Sequence, residues 1–304
     1  MILCCGESLI DMVPHDGAFL PLPGGSVYNT TVALGRLGAR TGYLWPLSRD
    51  AFGAALRGPL TQAGVDLSLC PETGRLTTLA IVFLNDGQAS YSFYDEGTAG
   101  RMFDIGELPA LPDDIQALFI GGISLIQEPC GSTVLELANR AAERGLVIML
   151  DLNIRPNLIG DDRATRERLG ALIRFADIVK ISDDDAAWLF PDLRPEDTVR
   201  EVLNLGPRLV LHTHGAGGAS GITAAAAAHR AAERVEIADT IGAGDTFNAG
   251  MLTALAEAGA LSRDALAALD EDVLARALDL AVRAAAITVS RPGANPPWRA
   301  ELDR

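Results

Sequence analysis

Residues 239–247 read Asp-Thr-Ile-Gly-Ala-Gly-Asp-Thr-Phe, and an apolar helical run to about Ala256 follows them. Two glycines at the start of a helix let backbone N–H groups converge on one point, where the helix dipole adds partial positive charge. Asp245 falls in the first turn beside this pocket, where a carboxylate can accept the proton of an attacking hydroxyl. The motif therefore holds parts that phosphoryl transfer needs, an anion pocket and a base. The alternative is an ordinary glycine-containing turn with Asp245 as a helix-terminal charge.

A second pair of glycines precedes a helical stretch near the N-terminus. Residues 23–29 read Pro-Gly-Gly-Ser-Val-Tyr-Asn, and the helical pattern continues over 30–37. Asn29, one turn into that helix, can donate and accept hydrogen bonds with vicinal hydroxyls. Asp11, just after the first strand, offers an acceptor carboxylate. A tight turn with an N-terminal cap is the alternative interpretation of this segment alone.

Composition limits the class of protein. The 304 residues carry a formal net charge of −15, which argues against a nucleic-acid surface because such surfaces need clustered Lys and Arg. The apolar residues are dispersed, without the run of roughly 20 that spans a bilayer. Residues 1–10 are apolar without a basic flank, so they are predicted to form a buried strand and not a secretion signal. The four cysteines lack metal-ligand spacing and are interpreted as reduced thiols of a cytoplasmic protein.

From about residue 107 onward, short apolar runs alternate with helical stretches. Strands are predicted over 117–121, 146–151, 177–181 and 208–213. Helices are predicted over 132–144, near 163–174, from 183, over 261–269 and over 272–290. This alternation indicates an α/β fold with a mostly parallel sheet covered on both faces, in one domain over 1–304. Ligands of such sheets bind beyond the carboxyl ends of the strands.

The N-terminal third lacks this alternation. Residues 19–22 and 77–93 are predicted to be strands, with Asn85-Asp86-Gly87 as a hairpin turn between alternating apolar residues. An antiparallel patch attached to a parallel sheet suggests a small β-strand lid, formed mainly by about 11–23 and 77–103. An extension of the main sheet is the alternative.

The two glycine motifs resemble the two fingerprints of the ribokinase-like (PfkB) carbohydrate kinases, in the right order and at a fitting separation. Gly24 to Gly38 is similar to the first fingerprint and Asp239 to Phe247 to the second. The resemblance implies a three-layer ribokinase-like fold, ATP and Mg²⁺. It implies Asp245 as the base, beside an anion hole of backbone over Gly242, Ala243 and Gly244. It implies sugar contacts from Asp11, Gly24, Gly25 and Asn29.

Two further family motifs are present with departures. The strand-end Asn-x-x-Glu motif, which organises Mg²⁺ largely through water, corresponds to Ser182 and Asp185. A helix N-terminus capped by Ser182, with acids in its first turn, explains the same residues, and both interpretations can hold. Thr213-His214-Gly215 fits the nucleotide loop, although Gly217 replaces a common Lys. Histidines here suggest a metal, but no third ligand is evident, so no metal site is predicted.

The sugar is predicted from three stretches. Residues 151–157 read Asp-Leu-Asn-Ile-Arg-Pro-Asn and resemble the fructokinase and 2-keto-3-deoxygluconate kinase branches. Arg155 is a candidate for nucleotide phosphates or a substrate carboxylate, with a surface ion pair to Asp151 or a neighbour as the alternative. Residues 6–12 and 94–101 look most like bacterial fructokinases, so fructose, attacked through its 6-hydroxyl, is the leading substrate. Phe93 and Arg101 are further candidates for sugar contact.

Other functions stay open at this point. They are a kinase of the same fold acting on 2-keto-3-deoxygluconate, a related ketose or a nucleoside, and a non-catalytic sugar-binding sensor. The resemblance also implies a homodimer through the lid. It implies a monovalent cation such as K⁺ near Asp239 and the 290–293 loop.

Overall fold

The computed structural model describes residues 1–85 and 88–303. The strands are β1 Ile2–Cys5, β2 Leu9–His15, β3 Ala18–Gly24, β4 Thr41–Tyr43, β5 Leu47–Ser48, β6 Glu72–Thr73, β7 Leu79–Asn85, β8 Gln88–Tyr94, β9 Ala117–Gly121, β10 Val147–Asp151, β11 Ile178–Ser182, β12 Leu209–Thr213, β13 Ala219–Ile222 and β14 Ala227–Arg230. The α-helices are α1 Ser26–Arg36, α2 Ala51–Gln62, α3 Cys130–Glu143, α4 Asp162–Phe175, α5 Asp183–Leu189, α6 Pro195–Asn204, α7 Ala243–Glu257, α8 Arg263–Ala267, α9 Glu271–Val289 and α10 Arg299–Leu302.

Eight strands form the central sheet, in the order β14-β13-β12-β11-β10-β9-β1-β4. The six strands from β12 to β4 run parallel, and β13 and β14 add an antiparallel edge. β9 and β10 are buried along their whole length, as expected for strands covered on both faces. The mostly parallel α/β sheet predicted from the sequence is confirmed. Its carboxyl ends lie at Cys5, Gly121, Asp151, Ser182 and Thr213.

A second sheet stands apart, with the strand order β3-β2-β7-β8. The predicted hairpin is present as the antiparallel pair β7 and β8, which are in register from Leu79 and Tyr94 to Asn85 and Gln88. Asp86 and Gly87 of the predicted turn lie outside the described residues. The sheet occupies 9–24 and 79–94, so it extends slightly beyond the first predicted lid segment, 11–23, and lies inside the second, 77–103.

The prediction of one buried strand over residues 1–10 is wrong. β1 ends at Cys5, and β2 begins at Leu9 as part of the second sheet. The chain leaves the main sheet at Gly6, where helix α1 approaches so closely that a Cβ would lie 2.4 Å from Val27 Cγ2. Asp11 therefore lies inside a strand of the second sheet and does not follow the first strand directly.

The remaining predicted elements agree closely with the structure. The strand predicted over 117–121 is β9, and the helix predicted over 272–290 is α9, Glu271–Val289. The helix predicted over 261–269 is shorter, because only Arg263–Ala267 is helical. All four cysteines are free, as interpreted. Within residues 1–85 and 88–303, none of the helices combines the length and apolarity that crossing a membrane requires.

Candidate active site

The two glycine motifs meet in the folded chain. Helices α1 and α7, which follow the motifs, pack against each other. Asn29 Nδ2 donates to Asp245 Oδ2 at 2.9 Å, across 216 positions of sequence. The Thr30 hydroxyl donates to the backbone carbonyl of Asp245 at 3.2 Å, which fixes the base from a second direction. The candidate base and a candidate sugar contact are therefore direct neighbours.

Asp245 is largely buried, with 9% of its surface exposed. Burial raises the pKa of its carboxyl to about 6, and the hydrogen bond from Asn29 opposes that rise. The charge of Asp151 raises the pKa further, whereas Lys180 lowers it. A carboxylate with a raised pKa is a better proton acceptor than an ordinary Asp and is still ionised at neutral pH. These properties suit a general base.

The backbone before Asp245 forms an open helix start. Gly242 takes φ +76°, and a Cβ on it would lie 2.8 Å from the Ala294 Cβ, so only glycine fits there. Among the described residues, no side chain caps the N-terminus of α7. At Gly244, a Cβ would meet only Lys180 Nζ within 4 Å, at 3.5 Å. Because the first N–H groups of a helix lack partners within that helix, this turn can bind an anion.

A buried cluster of Lys180, Asp151 and Asn248 packs against the start of α7, and its role was not predicted from the sequence. Lys180 Nζ lies 3.2 Å from Asp151 Oδ1, with the two side chains 6% and 1% exposed. Asn248 on helix α7 donates to Asp151 Oδ2 at 2.7 Å. The cluster ties the ends of β10 and β11 to the second turn of α7. The sequence signal was a lysine inside the otherwise apolar run Ile178-Val179-Lys180-Ile181.

The sugar-side candidates gather where the second sheet reaches α1. Asp11 lies against the glycine turn, since a Cβ on Gly24 would be 2.2 Å from Asp11 Oδ2. Gly25, with φ +110°, packs on the carbonyl of Glu7. Burial raises the pKa of Asp11 to about 6. Phe93 shares the face of Asp11, because both pair with Ala80 across the sheet.

Glu7 is a second residue whose position the sequence analysis missed. Its Oε1 accepts the N–H of Ser26 at 3.0 Å and its Oε2 accepts the N–H of Ser124 at 3.3 Å. The carboxyl is 6% exposed, and burial raises its pKa to about 7. It joins the start of α1 to the chain after β9. The available signal was an acidic residue inside an apolar N-terminal run.

The two candidate arginines lie in different environments. Arg101 forms a partly buried ion pair with Asp95 at 2.9 Å and lines a cavity of about 30 Å³ together with Glu7. Arg155 is exposed and donates to the carbonyl of Ile154 at 3.2 Å. The alternative of an ion pair between Arg155 and Asp151 is wrong, because Asp151 pairs with Lys180. Among the described residues, Arg155 forms no ion pair.

Ser182 and Asp185 form a reciprocal cap at the start of α5. The Ser182 N–H and hydroxyl donate to Asp185 Oδ2 at 2.9 and 2.8 Å, and the Asp185 N–H donates to Ser182 Oγ at 3.1 Å. Asp185 Oδ1 accepts the N–H of Ile154 at 2.8 Å, and the residue is 2% exposed. The capping interpretation therefore describes the side chain well. Three hydrogen bonds therefore hold this buried carboxylate, two at Oδ2 and one at Oδ1.

The nucleotide-side candidates lie at the next strand and beyond it. Thr213 ends β12, and Gly215, at φ +51°, begins a short 3₁₀ turn over Gly215–Gly217. Asp239 Oδ1 accepts the N–H of Ile241 at 3.0 Å, and Oδ2 accepts the N–H of Gly293 at 3.0 Å. The structure thus joins Asp239 to the 290–293 loop, and a cation at this place stays a prediction.

Comparisons with known proteins show the family and the fold of the chain. The sequence model of the pfkB family carbohydrate kinases matches residues 3–301. A fructokinase of Rhizobium leguminosarum bv. trifolii is 46% identical over 280 residues, covering 90% of this chain and 85% of that protein. The structure of a Xylella fastidiosa fructokinase with bound ATP has a TM-score of 0.90 at 30% identity, covering 99% and 97% of the two chains. The Salmonella enterica aminoimidazole riboside kinase, complexed with aminoimidazole riboside and an ATP analog, has a TM-score of 0.87 at 27% identity, covering 99% and 98%.

Proposed function

Because the chain belongs to the pfkB family of carbohydrate kinases, and so is an ATP-dependent sugar kinase, we propose that it phosphorylates the 6-hydroxyl of fructose with Asp245 as base. The family and the ribokinase-like fold predicted from the glycine motifs are confirmed. The observation that carries the proposed mechanism is the 2.9 Å contact between Asn29 and Asp245. It joins the sugar-side motif to the catalytic motif at one point.

The proposed reaction is a single displacement. Asp245 takes the proton of the sugar hydroxyl as that oxygen bonds to the γ-phosphorus, and the bond from that phosphorus to the bridging oxygen breaks, releasing ADP. The N–H groups of the turn over Gly242, Ala243 and Gly244 stabilise the charge on the phosphoryl oxygens. Lys180, close to Gly244, adds a fixed positive charge beneath the turn.

The sugar is proposed to bind between α1 and the second sheet, which acts as a lid. The amide nitrogen of Asn29 donates to Asp245, so the side-chain carbonyl oxygen of Asn29 is left to accept a hydrogen bond from a sugar hydroxyl. Asp11, with Gly24 and Gly25 behind it, supplies an acceptor carboxylate, and Phe93 on the same face of the lid supplies apolar contact. Arg101, in its cavity beside Glu7, lies at the rim of this region.

ATP is proposed to lie along the carboxyl ends of β11 and β12. Ser182, Thr213 and Gly215 would border it, because these residues follow neighbouring parallel strands. Mg²⁺ neutralises the phosphate charge in such reactions. Asp185 Oδ1 accepts one hydrogen bond and keeps a lone pair, so this residue is proposed to contact Mg²⁺ through water. Asp239 and the 290–293 loop are proposed to hold a monovalent cation such as K⁺.

A homodimer through the lid is also proposed. The lid sheet exposes large apolar side chains, with Phe19 and Tyr91 each 45% exposed and Leu20 44% exposed. Exposed apolar side chains on a four-stranded sheet favour burial against a second copy, with Leu20 and Tyr91 on one face of the sheet and Phe19 on the other. Light scattering after chromatography should give twice the chain mass, and Leu20→Asp should shift it toward the monomer. A monomer mass for the parent would remove this proposal.

The experiment that tests the substrate is a panel of sugars with ATP, Mg²⁺ and K⁺, followed through ADP release. We expect fructose to give the highest kcat/KM. A keto-acid sugar needs a cation for its carboxylate, and Arg155, without an ion pair among the described residues, is the candidate. If 2-keto-3-deoxygluconate gives the highest kcat/KM and Arg155→Ala raises KM for that sugar alone, the fructose assignment is wrong. Sugar binding without any ADP release would instead support the alternative that the protein is a non-catalytic sugar-binding sensor.

A further inference from the structure

Three of the four histidines gather at the carboxyl end of β12. His212 lies in the strand, His214 follows it, and His229 lies opposite on β14. The rings of His212 and His214 are 4.0 Å apart between centroids. The proposed kinase reaction assigns none of these side chains a role.

The structure supplies the third ligand that the sequence did not show. Because β11 and β12 run parallel with Ser182 opposite Thr213, Asp183 emerges beside His214. Asp183 Oδ1 lies 2.8 Å from His212 Nε2 and 3.2 Å from His214 Nδ1. One ligand atom from each of the three residues lies within 4.8 Å of the others. The arrangement offers two imidazoles and one carboxylate to a single point.

We propose that Asp183, His212 and His214 bind one transition-metal ion of the Zn²⁺ class beside the nucleotide loop. Two nitrogen ligands and one carboxylate, with water as the fourth ligand, form a common tetrahedral zinc set. With metal–ligand bonds of about 2.0–2.1 Å, tetrahedral geometry separates neighbouring ligand atoms by about 3.3–3.4 Å. The two separations from Asp183, 2.8 and 3.2 Å, need to open by about half an ångström or less to reach that spacing, and the ligand atoms of the two histidines lie within 4.8 Å of each other.

Burial provides a second and independent observation. The His212 side chain is 3% exposed. Its Nε2 lies 2.8 Å from Asp183 Oδ1 but outside good hydrogen-bonding alignment, and it has no other partner among the described residues. A buried ring nitrogen with only a poorly aligned contact is costly, and an ion between it and the carboxylate would satisfy both groups. The Asp183 side chain is 51% exposed, so solvent and an incoming ion can reach the site.

An outer set of contacts orients His214 for metal binding. Its Nε2 lies 3.3 Å from Ser220 Oγ, and that hydroxyl lies 3.1 Å from His229 Nδ1. If Nε2 donates to Ser220, the proton stays on that nitrogen and the lone pair of Nδ1 faces Asp183. Such outer hydrogen bonds fix the tautomer and orientation of metal-binding imidazoles.

The two imidazoles also distinguish this site from the Mg²⁺ that accompanies ATP. Magnesium requires oxygen ligands in octahedral geometry, whereas imidazole favours zinc, copper and nickel. His214 is the residue before the turn of the proposed nucleotide loop, and its backbone N–H donates to the carbonyl of Gly218 at 2.8 Å across that loop. An ion on His214 would therefore hold the loop in place.

The test titrates ZnCl₂ into untagged, nucleotide-free protein by calorimetry. The parent should bind one ion per chain, in the presence of millimolar Mg²⁺ as well. His214→Gln and Asp183→Asn, both at partly exposed positions, should each weaken binding at least tenfold while keeping the parental circular dichroism. His15→Gln, which removes a histidine of the lid, should leave the affinity unchanged. Absence of stoichiometric binding by the parent, or equal affinity of the parent and His214→Gln, would refute the site.

Cobalt provides a second measurement that identifies the ligands. Co²⁺ added to the parent should give the visible absorption of a nitrogen and oxygen site, and that absorption should be lost in His214→Gln. An intense sulfur-to-cobalt charge-transfer band would place the ion on cysteines, and displacement by Mg²⁺ at equal concentration would indicate an oxygen site. Either result would overturn the proposal.

Discussion

Replacing Asp245 with Asn should stabilise the protein while it removes catalysis. The pKa of the carboxyl is about 6 in the folded chain, against an ordinary value of 3.8. Folding therefore favours the protonated form, and the stability from this group is fully present below the unfolded pKa of 3.8 and is lost as pH rises through the folded pKa of about 6. A difference of about two pKa units corresponds to about 3 kcal/mol at pH 8 and to about half of that at pH 5.

The Asp245→Asn substitution removes that penalty, and the new amide oxygen can still accept the hydrogen bond from Asn29. Because the substitution also leaves an amide N–H₂ in place of a carboxylate oxygen, we expect a net gain of about 1–3 kcal/mol at pH 8. The gain should be about 1–1.5 kcal/mol smaller at pH 5. Urea unfolding at both pH values measures the change.

Asp192→Asn removes an exposed acid and serves as the control, with an expected change within about 0.5 kcal/mol at either pH. A variant at position 245 that is less stable than the parent at pH 8 would contradict the reasoning. So would a gain that does not depend on pH, because the penalty must follow the ionisation of Asp245.

Three further changes test the surroundings of the base. Asn29→Ala removes a hydrogen bond that lowers the pKa of the base, so the acid limb of the kcat/KM profile should move up by about one pH unit; an unmoved limb would count against the contact. Gly244→Ala places its methyl group near only one heavy atom, so the variant should fold within about 1 kcal/mol of the parent yet lose about tenfold or more in kcat. Gly242→Ala should unfold at a lower urea concentration, because residue 242 has a positive φ. Equal effects of the two substitutions on stability would contradict the assigned geometry. Lys180→Met leaves the charge of Asp151 buried and unpaired, which should lower the free energy of unfolding in urea by about 3–5 kcal/mol. Adding Asp151→Asn to that variant should restore part of the lost stability. If the double variant regains no stability, the Lys180–Asp151 pair is not what stabilises the turn.

The sheet and the turn before Asp245 were predictable because their signals are local. Apolar runs between helical stretches gave the parallel strands, and the glycines of residues 239–247 gave the helix start with Asp245 beside it. The hairpin of β7 and β8 followed from alternation around the Asp-Gly pair. Residues 1–10 misled the prediction, since the close packing of α1 at Gly6 breaks an otherwise continuous apolar run.

Contacts between distant segments were not predictable from one sequence. Lys180 and Asp151 become partners only through the pairing of β10 with β11. Asp185 had two compatible interpretations, and its hydrogen bonds to Ser182 and Ile154 were needed to see how fully its oxygens are occupied. Asp183 was hidden for the same reason, because strand register alone places it against residue 214.

The role of Asp245 as base is tested by phosphate transfer in the Asp245→Asn variant, compared with the parent at saturating fructose, Mg²⁺ and ATP. We expect fructose to bind with nearly the parental affinity, while the rate of sugar phosphate formation in a single turnover falls by about 10²–10⁴. A variant that forms sugar phosphate within a few-fold of the parental rate would show that another group accepts the proton.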